Sequence, residues 1–159
     1  MFFAALGLTL YPVISNYANK KYASEIYTAY QEAIDQTDDT MLEQERDRAA
    51  AYNQALISGN GFTQDALQSA SESYDSILNL ASDGMMGYVE IPKISVRLPI
   101  YHGTGDGVLR KGVGHLLGSS LPIGGGSTHS ILSGHSGMAS QTMFTDLEQL
   151  EIGDVFYLR

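Results

Sequence analysis

The sequence predicts an α+β fold with helices first and strands second, and three observations carry that expectation. Residues 16–79 show helical spacing, the chain after Gly84 breaks into short β-rich runs punctuated by glycine and proline, and no long amphipathic helix separates those runs. A length of 159 residues with 43% hydrophobic content suffices for one domain with a real core. The expected organisation is a hydrophobic segment over 1–15, a helical region over 16–83 and the opening strands of a β domain over 84–159.

The first segment, Met1 to Ile14, is apolar and uncharged, and Lys20 and Lys21 follow it. A membrane-spanning helix needs roughly 20 apolar residues, so the run is short, and a secretory signal would begin with a basic stretch that is missing here. Met1–Leu10 has no polar face, which argues against a helix packed on a core and for an N-terminal membrane anchor, best satisfied if further residues precede Met1.

Beyond it, Tyr22, Ile26, Tyr30 and Ile34 repeat every four residues, a stripe suited to a partner helix. Asp35 to Asp39 interrupts the pattern. A second helix is expected to open on Thr40-Met41-Leu42-Glu43, the spacing of a capping box, and to run through alanine-rich Ala49 to Ile57. Gly59-Asn60-Gly61 ends it, because both residue types tolerate the left-handed backbone of a helix stop. A shorter helix over about Asp65 to Leu80 follows Phe62.

The strand candidates are Met86–Ile91, Val96–Tyr101, Ser130–Leu132 and Val155–Leu158, spaced as in a small barrel or sandwich. Pro92 and Pro99 should sit at strand starts or edges, since proline donates no ladder hydrogen bond.

Composition narrows the chemistry. Eighteen acidic residues against nine basic ones give a net charge of -9, which argues against nucleic acid as a partner. The chain has no cysteine, so it holds no disulfide and no thiolate metal site. Its four histidines, His102, His115, His129 and His135, have no HExxH spacing, and neither a metal nor a cofactor is expected. His102 and His115 read as structural residues with satisfied hydrogen bonds. Gly124-Gly125-Gly126-Ser127-Thr128 lacks the lysine of a phosphate loop and reads as a turn. Gly134-His135-Ser136-Gly137-Met138 lacks the second glycine and the strand–helix context of a hydrolase nucleophile elbow. His135 is the candidate that remains: it follows a short apolar strand and is flanked by Gly134 and Gly137, which leave room for a substrate.

A series of ordered blocks then carries a resemblance. Gly87-Tyr88-Val89-Glu90-Ile91-Pro92-Lys93-Ile94, Leu98-Pro99-Ile100-Tyr101-His102-Gly103-Thr104, Lys111-Gly112-Val113-Gly114-His115-Leu116, Ser119-Ser120-Leu121-Pro122-Ile123-Gly124-Gly125, Thr128-His129-Ser130, Ser133-Gly134-His135 and Met143-Phe144-Thr145-Asp146-Leu147 together resemble class C sortases, the pilin-polymerising transpeptidases of Gram-positive surfaces. The upstream Tyr11-Pro12 and Ser15-Asn16-Tyr17 are similar to that family's anchor and juxtamembrane segment, so the resemblance spans essentially the whole chain.

The resemblance implies a sortase-like β-barrel, an LPxTG-like sorting signal cleaved between Thr and Gly, a cysteine thioester, and release by a lysine amine of a pilin subunit. It makes His135 the catalytic histidine and gives His129 no catalytic role. It implies a single-pass anchor in the cell membrane with the domain on the extracellular face. The family's cysteine and arginine strands lie beyond Arg159, so the chain reads as an N-terminal portion, an incomplete barrel, inactive alone. Asn60-Gly61-Phe62 stands where the family's lid carries an Asp-Pro-aromatic triplet; Phe62 suits the aromatic plug, and equally a hydrophobic staple on the following helix. The rival reading is a catalytically dead, membrane-anchored module that binds a pilin or a partner sortase.

Overall fold

The computed structural model describes residues 2–58, 73–137 and 142–159. Its first element, α1 (Phe2–Asp35), is one uninterrupted helix of 34 residues, about 51 Å long at 1.5 Å per residue. No helix among the described residues is long and apolar enough to cross a membrane. This corrects the expectation of a single-pass N-terminal anchor and of the membrane location built on it. The physical reason is visible in the sequence: the apolar run gives way to Ser15, Asn16, Asn19, Lys20 and Lys21 before reaching spanning length.

The four-residue stripe on α1 meets a sheet rather than another helix. Tyr30 is buried with Met85, Tyr88 and Tyr101, while Ile26 and Ile34 lean on the same cluster and Tyr22 stays exposed. The Tyr30 hydroxyl donates to the Met86 carbonyl at 3.1 Å. Burial, with a contribution from the Asp83 charge, pushes the Tyr30 pKa up to about 12. Nearby, Tyr27 meets Tyr88 edge-on at 4.7 Å and carries the Arg97 guanidinium over its face at 4.8 Å.

Helix α2 (Asp39–Ser58) starts earlier than the capping-box spacing suggests. The cap is Asp38, whose carboxylate accepts the Thr40 N–H at 2.8 Å. The Thr40 hydroxyl and N–H hold the Asp38 carboxyl below its ordinary range. A charged acceptor at the positive end of the helix prevails over the Thr40 hydroxyl that the sequence pattern favoured. One face of α2, Ala49, Tyr52, Asn53 and Leu56, is buried at the spacing of an amphipathic helix.

Two polar attachments fix α2. Asn53 acts as a surrogate strand: its amide donates to the Leu121 carbonyl at 3.1 Å and accepts the Leu121 N–H at 2.7 Å. Glu45 accepts the Leu78 N–H at 3.0 Å and pairs with Arg48, which donates to the Ser76 hydroxyl at 2.9 Å. The segment after residue 72 is helical only through Tyr74 and then turns, so the helix expected as far as Leu80 ends sooner. Its earlier part lies outside the described residues.

The sheet contains β1 (Met85–Ile91), β2 (Val96–His102), β3 (Val113–His115), β4 (Leu132–Ser133) and β5 (Tyr157–Leu158) in the order β4-β3-β2-β1-β5. Only β2 and β3 are parallel, joined across the single-turn helix α3 (Asp106–Leu109). Strands β1 and β2 match the sequence reading almost residue for residue; β4 and β5 are shorter than expected.

The expectation for Pro99 fails, because it sits inside central strand β2 opposite Tyr88. Its carbonyl faces Gly112, and β3 begins pairing only opposite Ile100, so the missing donor forfeits no ladder bond. Strand β3 itself was not expected, since Gly112 just before it and Gly114 within it dilute the β propensity there. Those glycines allow close backbone approach: a Cβ on Gly112 would lie 2.5 Å from the Pro99 oxygen, and one on Gly114 would lie 2.3 Å from the Gly103 oxygen.

The main core joins both halves of the chain. Ala49, Tyr52 and Leu56 of α2, with Tyr74 and Ile77, pack against Val89, Ile91, Ile100, Val113 and Leu121. Near the far edge, Lys93 reaches Glu151 and Asp154, each at 2.8 Å, and so ties the single 3-10 turn Pro92–Ile94 to the turn before β5.

One histidine lies in this core. His115 is fully buried, with Nε2 2.9 Å from the Ser120 carbonyl and Nδ1 2.9 Å from the Tyr74 hydroxyl. A carbonyl only accepts, so Nε2 carries the proton; the single Tyr74 hydroxyl proton goes to the His115 carbonyl at 2.8 Å, with Nδ1 beside it. Burial pushes the His115 pKa below its ordinary 6.5, further than the Ser120 carbonyl raises it, with nearby His102 adding to the depression.

Two outcomes are expected. Asn53→Ala leaves the buried Leu121 N–H and C=O unpaired and should destabilise the chain by about 1–3 kcal/mol, measured as a lower urea midpoint at unchanged slope. For His115, the unfolded state takes up a proton as pH falls through about 6.5 while the folded state resists until lower pH, so the stability this neutral ring contributes is present above about 6.5 and lost below it. Thermal melts between about pH 7 and 5, above the ordinary carboxylate range, should show this decline, and His115→Gln should flatten it.

Candidate active site

Strand β4 is too short to define a site alone, and its surroundings compensate. It pairs antiparallel with β3, Gly114 opposite Ser133 and His115 opposite Leu132, and the Leu116 N–H extends the ladder to the Ile131 carbonyl at 2.9 Å. The chain then passes through Gly134 into His135. The His135 carbonyl accepts the Phe144 N–H at 3.1 Å, and the Gly137 N–H donates to the Thr145 hydroxyl at 2.9 Å. Gly134 is required by this brace, because a Cβ there would lie 2.7 Å from the Phe144 ring.

The result is a half-buried imidazole at a strand end, followed by exposed Ser136 and Gly137. Among the described residues the His135 ring makes no hydrogen bond, and Ser136 makes none with it. An imidazole so placed can take up or give a proton at a reacting group brought to it.

The other histidines are arranged differently. The His102 nitrogens lie 2.9 Å from the Gly84 carbonyl and 2.8 Å from the Ile77 carbonyl, and its ring meets Tyr74 edge-on at 4.9 Å. His115 is committed to Tyr74 and Ser120. His129 points into solvent, and its contribution is its backbone, which exchanges hydrogen bonds with Ser120. The structure thus separates two anchoring rings, His102 and His115, from two uncommitted ones, and only His135 of the latter pair is part-buried at a braced strand end.

Asn60, Gly61 and Phe62, the residues read as a lid, lie outside the described residues. Among the described residues no three His, Cys, Asp or Glu side chains gather as a metal site. A cavity of about 610 Å³ opens between α1 and the start of β2, lined by Tyr22, Ile94, Arg97, Lys111, Met143 and Asp146 among others. His135 does not line it; the two share only the turn that contains Phe144.

Sequence reasoning passed over the residues that place His135. Phe144, Thr145, Ser119 and Ser120 appeared only within resemblance blocks. The available signal was the glycine before His135, a hint that something large lies against the backbone there.

Comparison with known proteins gives this geometry a context. A sortase domain is matched over residues 89–159. Sortase D of Bacillus subtilis (strain 168) is 44% identical over 68 residues, which is 43% of this chain and 31% of that protein, so the aligned part is under a third of the curated relative. The structure of sortase C1 from Streptococcus agalactiae is similar with a TM-score of 0.76 and 40% identity, over 85% of this chain and 69% of that one. Sortase C of Streptococcus pneumoniae gives a TM-score of 0.72 and 34% identity, over 85% of this chain and 67% of that one. Identity at that level, across two thirds or more of each of those solved chains, establishes that this chain belongs to the sortase family.

Proposed function

We propose that this chain supplies the acid–base histidine of a class C, pilin-joining sortase, with His135 in that role. The observation that carries the reading is the presentation of His135: a half-buried ring, uncommitted among the described residues, held at the end of β4 by the Phe144 brace. The class is supported by similarity to two sortases C, of which the Streptococcus pneumoniae protein is described with pilin substrate specificity.

The chemistry follows from what sortases do, which is cysteine transpeptidation. No thiol is available among these 159 residues, so the nucleophile belongs to a segment outside them. Its thiolate attacks the carbonyl carbon of Thr in an LPxTG-like sorting signal, the Thr–Gly C–N bond breaks, and His135 protonates the departing glycine amine. The acceptor lysine amine of a pilin subunit then attacks the thioester. The S–C bond breaks, an isopeptide bond forms, and His135 takes the proton that the amine sheds. Binding of a pilin by a catalytically inactive chain is the outcome to be excluded.

The test is a fluorogenic LPxTG peptide. The 159-residue chain should give neither cleavage nor an acyl-enzyme, whereas a chain continued through cysteine- and arginine-bearing strands of the family should give both. In that longer protein His135→Ala should lower turnover by about 10²-fold or more, the range of a lost general acid–base. His129→Ala should leave turnover measurable. Full activity of the longer His135→Ala protein would overturn the assignment.

A further inference from the structure

Sixteen residues, 116–131, separate the buried His115 from β4, the strand that leads into His135, and the hydrogen bonds between them form a continuous path. His115 Nε2–H donates to the Ser120 carbonyl at 2.9 Å and has the Ser119 hydroxyl at 3.1 Å. Ser120 then binds the approaching strand through both of its remaining polar groups. Its N–H donates to the His129 carbonyl at 2.9 Å, and its hydroxyl accepts the His129 N–H at 3.1 Å. Ser119 does the same two residues further on: its hydroxyl accepts the Ile131 N–H at 3.1 Å and donates to the Leu116 carbonyl at 2.7 Å. The Leu116 N–H closes the set on the Ile131 carbonyl at 2.9 Å.

The backbone amide and carbonyl groups of His129 and Ile131 are therefore all taken by residues 116–120. Strand β4 has only two residues, Leu132 and Ser133, and His135 follows after Gly134. A two-residue strand fixes little direction by itself. The heading of the chain into His135 is set by the loop, and the shape of the loop is set by the ring buried beneath it.

We propose that His115 is a positioning residue for His135, acting through Ser119 and Ser120, so that the neutral Nε2–H tautomer in the core determines where the acid–base imidazole points. This inference rests on the role of His135 given under Proposed function. Tyr74 holds His115 from below, its hydroxyl donating to the His115 carbonyl at 2.8 Å beside Nδ1 at 2.9 Å and accepting the Gly103 N–H at 3.0 Å, while Asn53 holds the far end of the loop at Leu121. The alternative is that His115 only fills the core.

The experiment reads the His135 ring directly, by its imidazole carbon–proton NMR signal in this chain, alongside the amide signals of Ser136 and Gly137. His115→Gln keeps a donor toward the Ser120 carbonyl; His115→Leu removes it. Ser119→Ala with Ser120→Ala leaves His115 in place and cuts the side-chain links to the strand, so it serves even if His115→Leu does not fold. The expected result is a shifted or broadened His135 signal in His115→Leu and in the double serine variant, near-native in His115→Gln, with the β1–β2 core signals unmoved. In the longer, cysteine-bearing protein the double serine variant should lose about 10- to 100-fold in kcat with KM within about twofold, the signature of a misplaced catalytic group. An unmoved His135 signal in the double serine variant, or equal disturbance of ring and core in His115→Gln and His115→Leu, would overturn the proposal. If instead His135→Ala retains full activity while the NMR pattern holds, the structural link stands and the role assigned to His135 falls.

Discussion

Burying an imidazole with its hydrogen bonds complete is the constraint on which much of this structure turns. An unpaired polar group at the depth of His115 would be strongly unfavourable, so both ring nitrogens must find partners, and each partner comes from a different part of the chain. Tyr74 comes from the helical half, Ser120 from the loop after β3, and His115 itself from β3. Satisfying one ring therefore docks three segments at once. The loop so fixed then supplies Leu121 to Asn53 on α2, which makes the helical half and the sheet a single packed body rather than neighbours.

Close backbone approach is the second determinant. Gly112 and Gly114 let β3 lie against Pro99 and Gly103 where any side chain would collide, and that contact brings His115 and the loop after it over the core. The same logic recurs at Gly134, where the absence of a Cβ admits the Phe144 ring against the backbone just before His135. In both places glycine is chosen for the space it leaves, since none of these three has a left-handed backbone.

These two features explain what could and could not be read from the sequence. Strands β1 and β2 were legible because each carries β-branched and aromatic residues, Tyr88, Val89 and Ile91 in one and Val96, Ile100 and Tyr101 in the other, bounded by turn residues, and α2 because of its alanine-rich run. Strand β3 was not, because its existence depends on contacts with Pro99 and Gly103 rather than on its own residues. The Tyr22–Ile34 stripe announced a buried face but not its partner, since periodicity gives the direction of a helix face and is silent on whether a sheet or a helix covers it. The N-terminal segment failed as an anchor for a related reason: low polarity over 14 residues is a local property, whereas spanning a bilayer is a matter of length. His135 was singled out by resemblance and by its flanking glycines, and its role is the one proposed for it; the serines that bond the chain leading into its strand were not legible, because serine in a loop is common and its pairing with a distant strand leaves no mark in spacing.

The four histidines divide between rings that hold the architecture and the ring for which chemistry is proposed. A ring with a close partner at each nitrogen cannot also swing to meet a substrate, because each nitrogen it would offer is already engaged. His102 and His115 are in that position, and both are close to Tyr74, so the anchoring rings cluster where the helical segment meets the sheet. His135 is placed at the opposite end of β4, beyond the last ladder pair, where the backbone is held and the ring makes no hydrogen bond among the described residues. A proton-transfer group needs that combination: a fixed Cα so that the ring reaches the same place each time, and open ring nitrogens so that the proton can leave and return. Rigid histidines beneath an uncommitted one are, on this argument, two halves of a single arrangement.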